Sequence, residues 1–554
     1  MRHVEARAGA YADSVTLMQV TAHAQAVQGV QAALVGMATE LNLGLLADLG
    51  LQPPDGAGPN DLLVAIQADD RESLASALAV VDNALRARPA DQAGAAGQPP
   101  RTTFSAARRA GTGLALISVP GQFAFAEAVD ALDAGFDVMI FSDHVPVEQE
   151  VWLKDRAADR GLLVMGPDCG TAIVAGIGLG FSHSVPAGPI GLVAASGTGA
   201  QQIVCLLDAA GAGVSAVLGV GGRDLSAAVG GRSARAALAA LDADPATELI
   251  VLVSKPPAEQ VAAELIRYAA ALATPVQFAL IGHGQPDLTA ATEAALRATG
   301  QHVPAWPVWP AAGEAATAAR RAGAGALRGL FAGGTLCDEA MVIAAERLGP
   351  VYSNIPLRPQ WRLDPRGPAG PRGLAGPRGL AGRCGSSGPS ELIGSDSSDP
   401  WHIMIDFGDD ELTAGRPHPM IDQRLRLDRL AAEAADPATA VIMLDVVLGH
   451  SAHPDPAAEI ALAITAARAA RGASAAQSAS AAWSASAARS ASAAGSGREL
   501  AVVVSLVGSR SDPQGLSAQA TALAAAGAHV FASNAQAARF ACDLAGQGRS
   551  GGNA

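Results

Sequence analysis

The sequence predicts an α/β fold, in which strands alternate with helices along most of the chain. At 114–119, 137–141 and 162–165, short apolar runs with the pattern of buried strands alternate with two helical patterns. Strands separated by helices at this spacing pair in parallel, because the helix carries the chain back to the same end of the sheet. A unit of strand, tight turn, helix and second glycine-rich turn also occurs twice in the later part of the chain.

Length and composition limit the classes of protein to which the chain can belong. At 554 residues it exceeds what one hydrophobic core supports, so three or four domains are expected. Hydrophobic residues make up 49% and charged residues 16%, which is typical of a globular protein. The net charge of −14 argues against a nucleic acid partner. Five scattered cysteines and the lack of a long apolar run predict a cytoplasmic protein without a disulfide framework, zinc site or membrane span.

Four domains are predicted from these patterns. Residues 1–95 form a small N-terminal α/β unit, which a polar, proline-bearing linker joins to the alternating α/β domain at 110–187. Residues 188–320 contain the first copy of the repeated unit, and residues 326–554 contain the second. The two copies therefore predict two domains of the same kind.

Two low-complexity inserts interrupt the second copy. Within 365–400, glycine recurs at every third residue, but a single short run cannot form a collagen triple helix, so a flexible loop is expected. Residues 472–497 repeat a Ser/Ala-rich hexad without an apolar face, which predicts a disordered or loosely helical segment.

The repeated unit carries the main candidate for a binding site. In the first copy, the turn Ser196-Gly197-Thr198 opens a helix, and Gly221-Gly222 follow the next strand. In the second copy, Gly333-Gly334-Thr335 opens a helix, and Gly408 lies in the corresponding later turn. Serine and threonine also cap helices without binding a ligand. Because free N–H groups and the helix dipole favour an anion at such turns, two facing helix starts predict a site for a phosphoryl group.

Five side chains near strand ends are candidates for contact with a substrate. Arg223 offers a forked cation for a phosphate or carboxylate. Lys255 and Asp168 each follow a buried strand, where a surface position and a ligand-facing position are equally open. Arg416 directly precedes a proline and His418 lies between two prolines, in a stiff loop that presents them to a substrate or is a plain connection.

Other reactive residues are weaker candidates for the functional site. Asp224, Asp409 and Asp410 either position a magnesium ion or cap the following helices. Cys169 has no histidine nearby in sequence, so it is not expected to act as a nucleophile. His283 follows a strand and could accept a phosphoryl group by position, but an exposed turn histidine is expected.

With these residues in view, the chain resembles the FdrA family, relatives of the succinyl-CoA synthetase α subunit. The resemblance covers nearly the whole chain except the two inserts. A further likeness to the second coenzyme A half-site of the synthetase lies at Val119-Pro120-Gly121 and Ala134-Gly135. The matching motifs lie at 162–171, 195–199, 221–225, 253–257, 333–336 and 415–422.

The resemblance implies a CoA-binding-like Rossmann domain followed by two flavodoxin-like ligase domains of the succinyl-CoA synthetase type. It also implies oxamate carbamoyltransferase activity, in which carbamoyl phosphate and oxamate give oxalurate during allantoin breakdown, with two further subunits. The chain departs from the synthetases in three ways. Residues 7–12 lack the glycine-rich CoA loop, no histidine matches the phosphorylated one, and no ATP-grasp domain is present.

The leading hypothesis is therefore carbamoyl transfer, with the two turns stabilising the departing phosphate and Arg223 or Arg416 binding the oxamate carboxylate. The alternative is a subunit of an ADP-forming acyl-CoA (succinate–CoA) ligase, which uses coenzyme A. A third hypothesis is a non-catalytic scaffold subunit. No cofactor is certain, Mg²⁺ stays open, and further subunits or a homo-oligomer are expected as partners.

Overall fold

The computed structural model of the protein describes residues 1–8, 10, 12, 14–54, 56–58, 61–86, 100–312, 325–363, 401–413, 416–484 and 499–546. These residues form two compact units. The first contains Met1–Asp168 and Asp410–Asp422, and the second contains Cys169–Asp409 and Gln423–Ala554. The predicted loop at 365–400 and most of the predicted linker lie outside the described residues.

The first unit contains two sheets with their helices. Its elements, in chain order up to residue 168, are β1 (Arg2–Arg7), α1 (Ser14–Gln25), β2 (Val30–Met37), α2 (Glu40–Asp48), β3 (Leu62–Ala68), α3 (Arg71–Arg86), α4 (Thr103–Ala110), β4 (Leu114–Ile117), α5 (Gly121–Asp133), β5 (Asp137–Ile140), α6 (Val147–Ala158) and β6 (Val164–Met165).

The N-terminal sheet is antiparallel, with the strand order β1-β3-β2. Successive side chains of a strand point to opposite faces, so Val64 packs with α1 and α3, whereas Leu63 packs with Leu46 of α2. The sequence analysis predicted a small α/β unit for these residues. Helix α2 was missed, because it is only nine residues long and Gly44 in its middle weakens the helical pattern.

The second sheet of the first unit is parallel, with the order β4-β5-β6, as the alternating pattern predicted. Helix α5 begins directly after β4 at the Pro120-Gly121 turn. A Cβ atom on Gly121 would lie 2.1 Å from the carbonyl oxygen of Asp143, so only glycine fits this contact between the loops that follow β4 and β5.

The second unit contains two larger sheets. Its elements are β7 (Thr171–Val174), β8 (Ile177–Gly180), β9 (Ala187–Ala195), α7 (Gly197–Ala209), β10 (Val214–Gly219), α8 (Arg232–Asp242), β11 (Leu249–Ser254), α9 (Glu259–Ala269), β12 (Val276–Leu280), α10 (Leu288–Ala298), β13 (Val308–Trp309), β14 (Ala326–Phe331), α11 (Gly334–Leu348), β15 (Val351–Tyr352), β16 (His402–Asp406), α13 (Arg424–Ala435), β17 (Thr439–Val447), α14 (Pro456–Ser484), β18 (Ala501–Val507), α15 (Leu516–Ala525), β19 (Ala528–Phe531) and α16 (Asn534–Gly546). The short helix α12 (Asp410–Thr413) belongs to the first unit.

The first copy of the repeated unit forms a six-stranded sheet with the order β12-β11-β9-β10-β7-β8. Strands β9 to β12 are parallel, and the hairpin β7–β8 runs antiparallel at one edge. The chain passes from β9 to β10 on one side and later places β11 on the other side. The strand order therefore reverses between β9 and β11, where open α/β sheets form a ligand crevice.

The second copy forms a seven-stranded sheet with the order β13-β19-β18-β17-β14-β16-β15. Six strands are parallel, and β13 is an antiparallel edge strand. Strand β14 has β16 on one side and β17 on the other, so the order reverses between β14 and β17. Each copy thus places the turn after its first parallel strand beside a reversal point.

Sheet membership divides the chain differently from the sequence patterns. The hairpin β7–β8 joins the six-stranded sheet, and the first unit ends at Asp168. The boundary expected near residue 187 was drawn from the alternating pattern, which a two-stranded hairpin does not continue. The four-domain division itself stays a prediction.

Helix α14 extends into the Ser/Ala-rich insert. Residues 472–484 continue this helix of 29 residues, and the remainder of the insert, 485–497, lies outside the described residues. Alanine-rich sequence favours a helix even without an apolar face. No helix in the described part of the chain combines the length and the apolar character needed to cross a membrane.

Candidate functional site

The first turn lies at the reversal point of the six-stranded sheet. Ser196 caps α7, and its side-chain oxygen accepts a hydrogen bond from the backbone N–H of Gly199 at 3.0 Å. The parallel register pairs Ala195 with Ser254. Ser196 and Lys255, the residues that follow this pair, therefore leave neighbouring strands at the same edge of the sheet.

The second turn is held by a buried ion pair. The Asp445 carboxylate on β17 accepts hydrogen bonds from the N–H groups of Ala332 and Gly333, at 2.7 and 2.8 Å. Arg426 Nη1 donates to Asp445 Oδ1 at 2.6 Å. Burial raises the pKa of Asp445, and the charge of Arg426 opposes this rise. An internal anion thus occupies part of the second turn, which the sequence had predicted to be open.

The two helix starts meet directly. The hydroxyl oxygens of Ser196 and Thr335 are 2.6 Å apart, and both side chains are buried. A Cβ atom on Gly333 would lie 2.7 Å from Thr198 Cγ2. Only a residue without a side chain allows this approach, so glycine at position 333 brings the two copies together.

This contact leaves donors for an anion only at its rim. In the described part of the chain, the backbone N–H groups of Gly197, Thr198, Gly334 and Thr335 donate no hydrogen bond. Gly197 is exposed and Gly334 is half-buried, whereas Thr335 is buried. An anion would therefore bind beside the two glycines and not between the two threonine side chains. We call this rim the cradle.

Lys255 adds a positive charge to the cradle. A Cβ atom on Gly334 would lie 3.0 Å from Lys255 Nζ and 2.6 Å from Asp406 Oδ2. Lys255 comes from the first copy and Gly334 from the second, so the lysine reaches the start of the other helix. The arrangement provides backbone donors and one cation around a position for an anion.

Two buried carboxyl groups close to Lys255 were missed by the sequence analysis. Burial raises the pKa of Asp406 to about 7 and that of Asp338 to about 6, and in both cases the charge of Lys255 opposes the rise. Asp406 also accepts a hydrogen bond from the N–H of Gly408 at 2.9 Å, which closes the later turn of the second copy. A carboxylate at the end of a buried strand, directly before a glycine turn, was the available signal.

The later turn of the first copy lies at the same sheet edge as Ser196, because β10 pairs with β9 up to Gly219 and Ala194. Gly221 has a positive φ of 91°, and Gly222 and Arg223 are exposed. Asp224 is buried and accepts hydrogen bonds from the N–H groups of the first residues of α8. It is a helix cap, the second of the two predicted roles.

Asp409 and Asp410 were predicted either to position a magnesium ion or to cap a helix. Asp409 is half-buried and Asp410 is exposed at the start of α12. Over the described ranges, no group of three or more histidine, cysteine, aspartate or glutamate side chains is placed to hold a metal ion. The suggestion of Mg²⁺ stays a prediction.

Three predicted site residues belong to the first unit. Asp168 is exposed with a φ of 56°, and its N–H donates to the carbonyl of Ser142 at 3.0 Å. Arg416 is exposed. His418 Nδ1 accepts a hydrogen bond from the N–H of Met420 at 3.2 Å. The hydrogen of the neutral ring is therefore on Nε2, where His418 acts as a donor and not as a base.

Cys169 is buried, whereas His283 is exposed. Cys169 is 2% exposed, and its thiol faces the carbonyl oxygen of Thr171 at 3.7 Å. The His283 side chain is 89% exposed, and its Nδ1 lies 2.8 Å from Glu346 Oε1. Glu346 is near the far end of α11, about 18 Å along the helix from Gly334. The exposure of His283 agrees with the sequence analysis, and the expectation that Cys169 does not act as a nucleophile stays a prediction.

Comparisons with known proteins identify two parts of the chain. Residues 330–544 match a family described as CoA-ligase, and residues 1–101 match one described as AllF, heavy metal-associated domain. Soft metal ions are bound by cysteine thiolates, and the first 101 residues contain no cysteine. The residues present therefore do not fit a thiolate metal site in this part of the chain.

Parts of the chain are similar to the α subunits of succinate–CoA ligases. Over 160 residues, the chain is 31% identical to the succinate–CoA ligase [ADP-forming] α subunit of Aquifex aeolicus, covering 28% of this chain and 51% of that subunit. A solved acetyl-coenzyme A synthetase 1 of Ca. Korarchaeum cryptofilum has 16% identity and a TM-score of 0.27, over 79% of this chain and 82% of that one.

A full-length relative gives the family. The chain is 35% identical over 545 residues to the uncharacterized protein YahF of Escherichia coli (strain K12), and this match covers 95% of both chains. The chain belongs to the family of YahF. The FdrA name stays a prediction.

Proposed function

We propose that this chain is a subunit of an acyl-CoA ligase of the succinate–CoA ligase type, in which the cradle holds the phosphate of an acyl phosphate. One observation carries the proposal: two helix starts meet at Ser196 and Thr335, with Lys255 beside them. A tetrahedral anion needs several donors and a cation at one place, and the rim of this contact offers both.

The residues of the cradle have one task in such a reaction. When a nucleophile attacks the acyl carbon, the bond to the phosphate oxygen breaks and negative charge grows on the departing phosphate. The N–H groups at the starts of α7 and α11, together with Lys255, are positioned to stabilise this charge. Because they are fixed by the fold, they need no rearrangement during the reaction.

Coenzyme A would supply the attacking thiolate under this proposal. The turn at Pro120-Gly121 suits one of its phosphate groups, because α5 begins there without a side-chain cap and keeps backbone donors at its start. This turn is the chain's own candidate for holding coenzyme A. Asp168, in the loop after β6 of the same parallel sheet, is a candidate contact.

Carbamoyl transfer to oxamate is the second candidate, and the position of His283 favours it. His283 is exposed and pairs with Glu346 at the far end of α11 from the cradle. Carbamoyl phosphate is already an acyl phosphate, so no phosphohistidine is required. Arg223 or Arg416 would bind the oxamate carboxylate, with His418 as a donor, and two further subunits would act with this chain.

Lysine labelling provides a direct test of the cradle. The chain contains only two lysines, Lys154 and Lys255, and Lys154 is buried in an ion pair with Glu150. We expect acetylation of the folded chain to modify Lys255 and the N-terminus, and inorganic phosphate to protect Lys255. Peptide mass spectrometry measures both sites, with Lys154 as the internal control. Equal labelling of Lys255 with and without phosphate would contradict the anion site.

Turnover separates the proposed reactions. The full chain, with any subunits that copurify, is given succinyl phosphate and CoA, or carbamoyl phosphate and oxamate. Thioester formation supports the ligase, and phosphate release only with oxamate supports the second candidate. Lys255→Met is expected to lower either rate at least about tenfold, whereas Arg235→Met, in a partly exposed ion pair, should not. No turnover with either pair would leave the scaffold hypothesis.

A further inference from the structure

A cavity of about 730 Å³ lies in the second unit, away from the cradle. It is lined by residues that follow β17 and β18, including His450 and Arg510, and by residues of the hairpin β7–β8. The carboxyl ends of parallel strands are where open α/β sheets bind ligands, and this volume falls in the range of small-molecule sites.

The cavity is separated from the cradle by the length of a helix. The cradle uses the first residues of α7, whereas the cavity is lined by Asp208 near the last turn of the same helix. The 11 residues from Gly197 to Asp208 correspond to about 17 Å. The two sites are therefore distinct.

A buried network fixes the polar wall of the cavity. The fully buried Asp512 carboxylate accepts hydrogen bonds from His183 Nδ1 at 2.7 Å, from the N–H of Ser184 at 3.0 Å and from the N–H of Ser509 at 2.7 Å. Burial alone would raise the pKa of Asp512, but these hydrogen bonds lower it. The carboxylate is therefore ionised and accepts the Nδ1 hydrogen of His183, which leaves Nε2 of the neutral ring as an acceptor.

The other ring nitrogen of His183 has no partner. His183 is 3% exposed, and its Nε2 is buried without a hydrogen bond in the described part of the chain, as is the hydroxyl of Ser182. His183 lines the cavity and its Nδ1 is paired with Asp512, so Nε2 is the ring nitrogen that is left for a ligand. A buried acceptor without a donor is costly, and a bound ligand would relieve that cost.

Arg510 supplies a positive charge at the same cavity. Its backbone N–H and its Nε donate to Asp208 Oδ2 at 2.9 and 3.4 Å, and its Nη2 donates to the Asp208 carbonyl. Within the described residues, Nη1 makes no hydrogen bond. Asp208 thus holds the guanidinium in place while one edge stays available for an anion.

The hairpin gives the cavity an apolar side. Ile173 and Ile177 line it, and Ile177 is 64% exposed, an unusual degree for an isoleucine. The cavity therefore combines a cation, an acceptor without a donor, and an apolar wall. Such a combination selects a particular class of ligand.

We propose that this cavity is a second binding site, for a small carboxylate that carries an amide or hydroxyl donor on a short apolar chain. The carboxylate binds Arg510, the donor binds His183 Nε2, and the chain lies on the two isoleucines. The proposal does not depend on the reaction at the cradle.

Three matched probes test the proposal on the full chain by ligand-observed NMR. Succinamate has the carboxylate and the amide donor, monomethyl succinate lacks the donor, and succinamide lacks the charge. We expect saturable binding of succinamate in the range of about 1 mM, and binding at least about tenfold weaker for the other two. Lys255→Met should leave succinamate binding unchanged, which distinguishes this cavity from the cradle.

Arg510→Gln is the informative variant, because the Arg510 side chain is 61% exposed and its replacement should not prevent folding. Arg510→Gln should lower the affinity for succinamate to that for succinamide. Arg347→Gln, in another exposed ion pair, should not change the affinity for succinamate. His183→Phe should remove the preference for succinamate over monomethyl succinate. Unchanged binding by Arg510→Gln, or no saturable binding of any probe to the wild-type chain, overturns the proposal.

Discussion

The two helix starts of the cradle come from copies of one structural unit, yet they are stabilised differently. The first is capped by its own hydroxyl at Ser196, and Gly197 is exposed. The second has no side-chain cap at Gly333, and a buried carboxylate, Asp445, binds its turn instead. Local capping leaves the first start open to solvent, whereas the second depends on an ion pair in the core. This difference predicts that the second start is the more fragile.

The largest expected effect comes from removing the arginine of that ion pair. Arg426 and Asp445 are both buried, and Arg426→Met would leave the carboxylate without its countercharge. We expect a loss of about 3–5 kcal/mol in the free energy of unfolding, measured by urea denaturation. The partly exposed pair of Arg235 and Glu264 supplies the control, since Arg235→Met should cost less than about 1 kcal/mol. Equal losses in both variants would remove the distinction between the two helix starts.

The next effect concerns the approach of the two copies. A Cβ atom at position 333 would lie 2.7 Å from Thr198 Cγ2, so Gly333→Ala must push the helix starts apart. We expect a destabilisation of about 1–3 kcal/mol together with loss of phosphate protection at Lys255. Thermal unfolding and lysine labelling measure the two consequences.

Gly472→Ala is the matched control, because this helical glycine has nothing within 4 Å of an added Cβ. It should be neutral or slightly stabilising. Full protection of Lys255 by phosphate in Gly333→Ala would show that the direct contact of the helix starts is not needed for the cradle.

A smaller effect depends on pH and is expected only in the second copy. Burial raises the pKa of Asp406 from 3.8 to about 7, so the folded state holds this proton more tightly than the unfolded state. The resulting stability is fully present below about pH 4 and is lost as the pH rises through 7. Urea denaturation across this range should show a flatter profile for Asp406→Asn. Burial also raises the pKa of Asp338 to about 6 and that of Glu339 to about 7, so these two groups account for a residual slope. If the free energy of unfolding changes with pH as steeply in Asp406→Asn as in the wild-type chain, groups other than Asp406 cause the pH dependence.

Sequence analysis located those parts of the cradle that are local in the chain. Both helix starts, at Gly197 and Gly334, follow from an apolar strand, a turn of small residues and a helical pattern. These signals span about 15 residues and depend on backbone conformation alone.

The groups that complete the site come from other strands and could not be placed in this way. Asp445 reaches Gly333 across 112 residues of sequence, and its position depends on which strand lies beside β14. Asp512 and His183, in the second cavity, are 329 residues apart. Strand order decides these contacts, and periodicity within one segment carries no information about it.

The smallest expected effect is at the contact between the two hydroxyls. Ser196→Ala removes the cap of α7 and should cost about 1 kcal/mol, because the N–H of Gly199 loses its acceptor. Thr335→Val removes the partner hydroxyl of the buried pair, at 2.6 Å, and keeps the shape of the side chain. If the hydroxyl of Thr335 is held mainly by Ser196, the double variant should lose less stability than the sum of the two single variants. The coupling energy from urea denaturation should be at least about 0.5 kcal/mol. Simple additivity would mean that each helix start is stabilised within its own copy, and that their contact in the cradle contributes nothing to stability.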